Sequence, residues 1–216
     1  MKKIIATIVA LVFSTSAYAV TISDVSVGAS LNHGVYAADG KERNFTHTGT
    51  LEKTTNVTGK AFVDTYATIF LELALNENVA LGVSYAPDSV DTPQNVNSGE
   101  GGDGKTDIKV SAEFEDLTTV YLLAKSDIGI FAKAGYSQMD INVTSENAGT
   151  YKDTDTDGVE FAIGYERDLG EIGVRAELAY HSFDDVKADN GITDKNEITV
   201  SNMQGATARI SLVKSF

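Results

Sequence analysis

The sequence predicts an all-β chain: an eight-stranded antiparallel up-and-down transmembrane β-barrel, with short turns at one end and long loops at the other. Three observations predict it. The first is the hairpin at 158–183, GVEFAIGYERDLGEIGVRAELAYHSF. Val159, Phe161, Ile163 and Tyr165 alternate with Glu160, Ala162, Gly164 and Glu166. After a polar turn, Ile172, Val174, Ala176, Leu178 and Tyr180 alternate with Gly173, Arg175, Glu177, Ala179 and His181. Period-two alternation is the signature of a strand, because successive side chains point to opposite faces. The second is the character of the faces. One is continuously apolar, as a lipid-facing surface is; the other mixes charges with Gly and Ala, as a narrow lumen does. The third is the alternation of long and short connections along the whole chain.

The elements follow in order. Residues 1–19 carry Lys2 and Lys3, an apolar stretch, and a small-x-small site ending at Ala19. This is the pattern of a secretory signal peptide cut between Ala19 and Val20, leaving a barrel domain at 20–216. The first strand sets Val25, Val27, Ala29 and Leu31 against Ser26, Gly28, Ser30 and Asn32. Residues 34–60 are polar and read as a loop. The second strand, 62–75, turns Val63, Ala67, Ile69, Leu71, Leu73 and Leu75 outward and Asp64, Tyr66, Thr68, Phe70 and Glu72 inward. Asn76, Glu77 and Asn78 form a turn into the third strand, 79–85.

Both prolines and four glycines fall in the loop 87–107. In the fourth strand, 108–124, Asp116 interrupts the even-numbered apolar face, which predicts a bulge near 115–117. Lys125, Ser126 and Asp127 turn the chain into the fifth strand, 128–141, and 142–157 is a third loop. The hairpin supplies strands six and seven. An acidic loop, 184–197, precedes the eighth strand, 198–216, where Ala206, Ala208, Ile210, Leu212 and Phe216 share one face and Gly205, Thr207, Arg209 and Ser211 the other. Tyr85, Tyr136 and Tyr180 fall toward the loop end of their strands, and Tyr165 and Phe216 toward the turn end, as two aromatic girdles.

Composition excludes several functions. The chain has no Cys, hence no disulfide, thiol nucleophile or thiolate metal site. Its formal charge is −14, and loss of the leader would remove two lysines and no acids. A surface so acidic lacks the basic footprint that nucleic acid requires.

The inward set Glu72, Glu160, Arg175, Glu177 and Arg209, with Lys133 and Glu113, reads as an ion-pair plug, because charges in so narrow a lumen must be paired. A gate with exchanging partners is the sharper alternative. Asp153, Asp155 and Asp157, followed by Gly158, have the spacing of a calcium loop. Position twelve of such a loop would be Gly164 instead of Glu, so a solvated acidic loop is the expectation, with no metal and no cofactor. His181 and Ser182 are adjacent on a strand and point apart, so no catalytic pair forms and no enzyme is expected.

The runs IFAKAGYSQMDINV at 130–143 and DTDGVEFAIGYERDLGEIGVRAELAYHSFDDV at 155–186 resemble OmpA-like and opacity-type outer-membrane β-barrels. The likeness lies in an apolar–Gly-Tyr strand, a DTDG entry into an alternating strand, and a hairpin ending in an aromatic residue. It is specific from about residue 118 onward, and Lys214 departs from the aromatic or apolar residue such barrels carry there. It implies an outer-membrane location, a monomer in contact with lipid and lipopolysaccharide, and Phe216 as the signal read by barrel-assembly machinery. No peptidoglycan-binding domain is expected after the eighth strand. The function it implies is structural, surface-contact or adhesive, through the acidic outer loops. The alternative is a narrow porin-like channel for small solutes.

Overall fold

The computed structural model describes residues 25–45, 49–91, 95–97, 108–146, 150–190 and 196–216. The signal peptide and the cleavage pair Ala19 and Val20 lie outside them. Among the described residues every element is a β-strand: β1 (Val25–Phe45), β2 (Leu51–Asn76), β3 (Val79–Tyr85), β4 (Val90–Asp91), β5 (Asn95–Asn97), β6 (Ile108–Lys125), β7 (Ile130–Glu146), β8 (Thr154–Leu169), β9 (Ile172–Phe183), β10 (Val186–Asp189) and β11 (Asn196–Ser215). The antiparallel order β1-β2-β3-β6-β7-β8-β9-β11 closes on itself through the pairing of β11 with β1. That ring is the expected eight-stranded barrel. The short β4 and β5 pair with β6, and β10 with β11, above the loop-side ends of β3 and β9.

Closure removes every sheet edge at membrane depth, which hydrocarbon requires because it offers no partners to free backbone groups. The outer face is apolar. Leu31, Val63, Ile69, Leu122, Phe161, Ile163, Leu178, Ile210 and Leu212 are all exposed, between 52% and 66%. On β9 the belt runs from Ile172 to Tyr180. At ~3.3 Å per residue and a tilt of about 40°, that is roughly 20 Å of height, close to the apolar band of such barrels. Tyr85, Tyr136 and Tyr180 lie exposed on the outer face, as do Tyr165 and Phe216.

Two-residue turns join β2 to β3 and β8 to β9, and a short turn joins β6 to β7. The opposite end differs from expectation. Residues 34–45 and 51–60 are not loop but strand: β1 and β2 pair from Val25 with Leu73 as far as Phe45 with Leu51. Polar residues form strands there because the hairpin alternates against water, without a lipid face to demand apolar side chains. For the same reason β7 and β8 extend into the predicted loop 142–157, and β10 forms within 184–197.

Three bulges lie toward the loop end of the barrel. The register slips by one residue at Gly59 on β2, at Asp116 on β6 and at Asn202 on β11. Each has positive φ: 62°, 54° and 54° respectively. The bulge at Asp116 is the one the sequence predicts. A bulge inserts an extra residue, so it swaps the faces of the strand beyond it. Below Asp116, Thr119, Tyr121 and Leu123 point inward; above it, Ala112 and Phe114 pack inside. Below Asn202, Thr207, Arg209 and Ser211 point inward; above it, Val200 and Ile198 do. The barrel is therefore apolar outside at the membrane and apolar inside above it. Ile141, Val186 and Met203 form the core of that upper part.

Candidate functional site: a plugged lumen beneath an apolar chamber

The predicted lumen residues meet. Glu72, Glu160, Arg175, Glu177 and Arg209 are each between 1% and 7% exposed, and they sort into two layers. In the lower layer, near the turn end, Arg175 donates to both oxygens of Glu72 (2.8 and 3.0 Å) and to Glu166 (2.6 and 2.9 Å). Lys125 reaches the other oxygen of Glu166 at 2.8 Å. Tyr121 donates to Glu72 at 2.8 Å. The Arg175 guanidinium lies between the rings of Phe70 and Phe131, 5.3 and 5.0 Å from their centroids. Phe131 lies across Gly164, its partner on β8, where any Cβ would strike the ring.

In the upper layer, Arg209 bridges Glu160 and Glu177, and its Nε donates to Asn32. Lys133 sits 2.7 Å from Glu160 and 2.9 Å from Glu177. Each layer holds two cations and two carboxylates and is neutral as a unit. Balance matters because burying one uncompensated ion costs several kcal/mol. Bidentate and ring contacts explain why arginine, with its planar fork, holds both centres.

Lys133 faces the lumen as the alternation predicts. Glu113 does not. The bulge at Asp116 turns Ala112 and Phe114 inward, so Glu113 between them points the other way. Asp155 and Asp157 stand in β8, and Asp153 precedes it. Carboxylates two apart on an extended strand are splayed along it by ~6.5 Å per pair, so they do not wrap one ion as a calcium loop does. Among the described residues, no three His, Cys, Asp or Glu side chains gather to hold a metal. His181 is 1% exposed, inside the barrel, with Nδ1 3.4 Å from Glu160 and Nε2 3.0 Å from the Thr207 hydroxyl. At the terminus, the Phe216 amide donates to Val25, and Lys214 pairs with Glu171 on the surface.

Above the upper layer the lumen changes character, which the sequence reading misses. A small chamber there is lined by Tyr36, Phe62, Tyr66, Phe114, Leu117, Met139, Phe183 and Met203, with His181 at its floor. Phe62 stacks between Tyr36 (5.5 Å) and Phe114 (6.5 Å), and His181 stacks on Phe183 (6.4 Å). The bulges build it. Asp116 and Asn202 take up the slip, and the neighbouring Leu117 and Met203 face in. The signal lay in the sequence as an apolar run at even positions on both sides of Asp116 and Asn202, whose upper half the bulge sends to the inner face.

A closed ring of tilted strands, an apolar belt and a charge-filled lumen define a small membrane β-barrel of the outer-membrane type. The comparisons agree on the fold. The structure of the outer membrane protein OprG from Pseudomonas aeruginosa superposes with a TM-score of 0.54 at 15% identity, over 88% of this chain and 96% of that one. The outer membrane protease OmpT from Escherichia coli (TM-score 0.49, 11% identity, 88% and 97% covered) and the outer membrane protein AlkL in lipid bilayers (0.49, 14%, 88% and 90%) are also similar. At such identities the likeness to OprG shows the fold alone. No protein-family model and no curated protein matches the chain.

Proposed function

We propose that the chain is exported by a leader at 1–19 and works in the outer membrane as a closed surface barrel, acting from its loop-side end and not as a conduit. The observation that carries this is the lumen. Two neutral ion-pair layers occupy it, and every member except Lys125 is at most 9% exposed. Eight strands leave an interior that side chains alone can fill.

In this reading the short turns face the periplasm and the long hairpin faces outside. Exposed Asp88, Asp153, Asp184 and Asp185 then belong to the outer surface. Contact with a surface partner is supported by that placement, since loops on a rigid scaffold usually carry recognition. Lipid and lipopolysaccharide surround a monomer, and Phe216 serves the assembly machinery. The barrel is read as non-enzymatic: the His181 ring is committed to Thr207 and Glu160, and Ser182 lies on the opposite face.

The test is single-channel recording of the refolded protein in a planar bilayer. A folded barrel without discrete steps is the expected result. Reproducible steps, abolished by lumen substitutions, would replace this reading with a narrow channel.

A further inference from the structure

We infer, resting on the reading of a closed lumen, that Tyr121 is the positioning residue that ties the two ion-pair layers into one plug, and that Gly82 is the gap across which it reaches. Among the described residues, no ion pair joins one layer to the other. Arg175 and Lys125 pair with Glu72 and Glu166; Arg209 and Lys133 pair with Glu160 and Glu177. Tyr121 touches both layers. Its hydroxyl donates to Glu72 of the lower layer at 2.8 Å. The Lys133 ammonium of the upper layer lies over its ring, 4.7 Å from the centroid.

The sheet register makes that reach possible. Glu72 on β2, Gly82 on β3 and Tyr121 on β6 stand in one row, each directly opposite the next. Two strand spacings separate Tyr121 from Glu72, about 10 Å at the backbone. A phenol crosses that distance by lying flat over the strand between, and a side chain at position 82 would stand in its way. The three atoms nearest a Cβ built on Gly82 are Cζ, Cε2 and Oη of Tyr121. Laid flat, the ring turns a face to the lumen, where a desolvated ammonium is attracted to it. Its proton goes to an ionised carboxylate, the stronger kind of hydrogen bond. Tyr121 is 3% exposed, so water replaces neither contact.

The rings that hold Arg175 are seated in the same way. Phe70 lies opposite Gly28 and Phe131 opposite Gly164, and a Cβ on either glycine would strike the ring. Each of these rings serves the lower layer, whereas Tyr121 serves both. An exchange of partners in one layer is therefore felt in the other, and the plug yields as a unit.

Arginine makes the test direct, because the sequence has four: Arg43, Arg167, Arg175 and Arg209. Protein labelled with ¹⁵N at arginine is refolded into lipid nanodiscs, and proton exchange of the side-chain Nε–H groups is measured. Arg175 reports the lower layer. Arg209 reports the upper, since it shares Glu160 and Glu177 with Lys133. Tyr121→Phe removes the hydroxyl and keeps the ring. It should speed exchange at Arg175 about three- to tenfold, the worth of one hydrogen bond, and leave Arg209 as in the parent. Tyr121→Leu and Gly82→Ala should speed both. Gly173→Ala is the control, on the strand of Arg175, where the closest atom to a Cβ is the Asp168 carboxylate oxygen at 3.3 Å; it should speed neither. Tyr121→Leu that changes Arg175 alone would mean the layers are independent. Tyr121→Phe that speeds both arginines equally would mean a general loosening, and Gly82→Ala that changes neither would remove the gap from the account. Because the guanidinium groups are read and not current, failure here leaves the conductance test of closure standing on its own.

Discussion

Arg175 is the side chain on which the lower layer depends. It holds Glu72 and Glu166 together and is itself held between two rings. Arg175→Ala would leave two buried carboxylates with only Lys125 and Tyr121 as partners. Breaking a buried pair from one side costs about 3–5 kcal/mol. The urea midpoint of the refolded barrel should therefore fall sharply, while Glu72→Gln with Arg175→Met recovers much of the loss, since the pair is removed together. A single variant as stable as the parent would mean that the layer does not hold the barrel shut. These residues were legible in the sequence because charge on the small face of an alternating strand has one place to go. Glu113 was misplaced because its position depends on the face swap at Asp116, and the swap changes the parity of everything beyond it.

At the scale of the element, the bulges set where each strand changes face, and Asp39 ties two of them together. Its carboxylate accepts from the Gly59 amide at 2.6 Å and from the Asn202 side chain at 2.8 Å. The Asn202 bond and then the Gly59 amide hold the Asp39 pKa below its ordinary value. A carboxyl depressed by folding adds stability above its unfolded pKa, near 4, and that stability is lost as pH falls through the folded value. Asp39→Asn presents a donor to the Asn202 donor. Amide exchange at Gly59 and Asn202 should therefore be faster in the variant at pH 7, with the gap closing below about pH 4. A gap that persists in acid would mean the carboxylate charge is not what secures the bulges.

Gly59 makes a second test, because φ is 62° there and a Cβ would meet nothing within 4 Å. Gly59→Ala should cost about 1 kcal/mol through backbone conformation alone, read as local exchange in the β1–β2 hairpin. Asp116 was legible as an interruption of an apolar face. Gly59 and Asn202 were not, because the first lies in a polar stretch that reads as a loop and the second just before the face that alternation makes plain.

At the scale of the whole molecule, the bulges mark the level at which lipid gives way to water. Below them an outward side chain is Leu122, Leu178 or Ile210, all more than half exposed. Above them the outward positions on β6 and β11 are Glu115, Ser201 and Thr199, because Phe114, Val200 and Ile198 have turned inside. A hydrocarbon layer reaching past the bulges would have to bury Glu115 against lipid, at a cost that grows with depth. A layer ending below them would leave the belt of Leu178 and Ile210 in water. The border is thereby fixed from both sides. The chain has no cysteine, so single cysteines can carry spin labels without background. Labels at 122, 178 and 210 should be relaxed by oxygen, which concentrates in lipid, and labels at 115, 199 and 201 by a water-soluble nickel chelate. Oxygen preference at 199 and 201 would place the upper barrel inside the bilayer. Its apolar interior could then no longer be explained as the core of a part that stands in water.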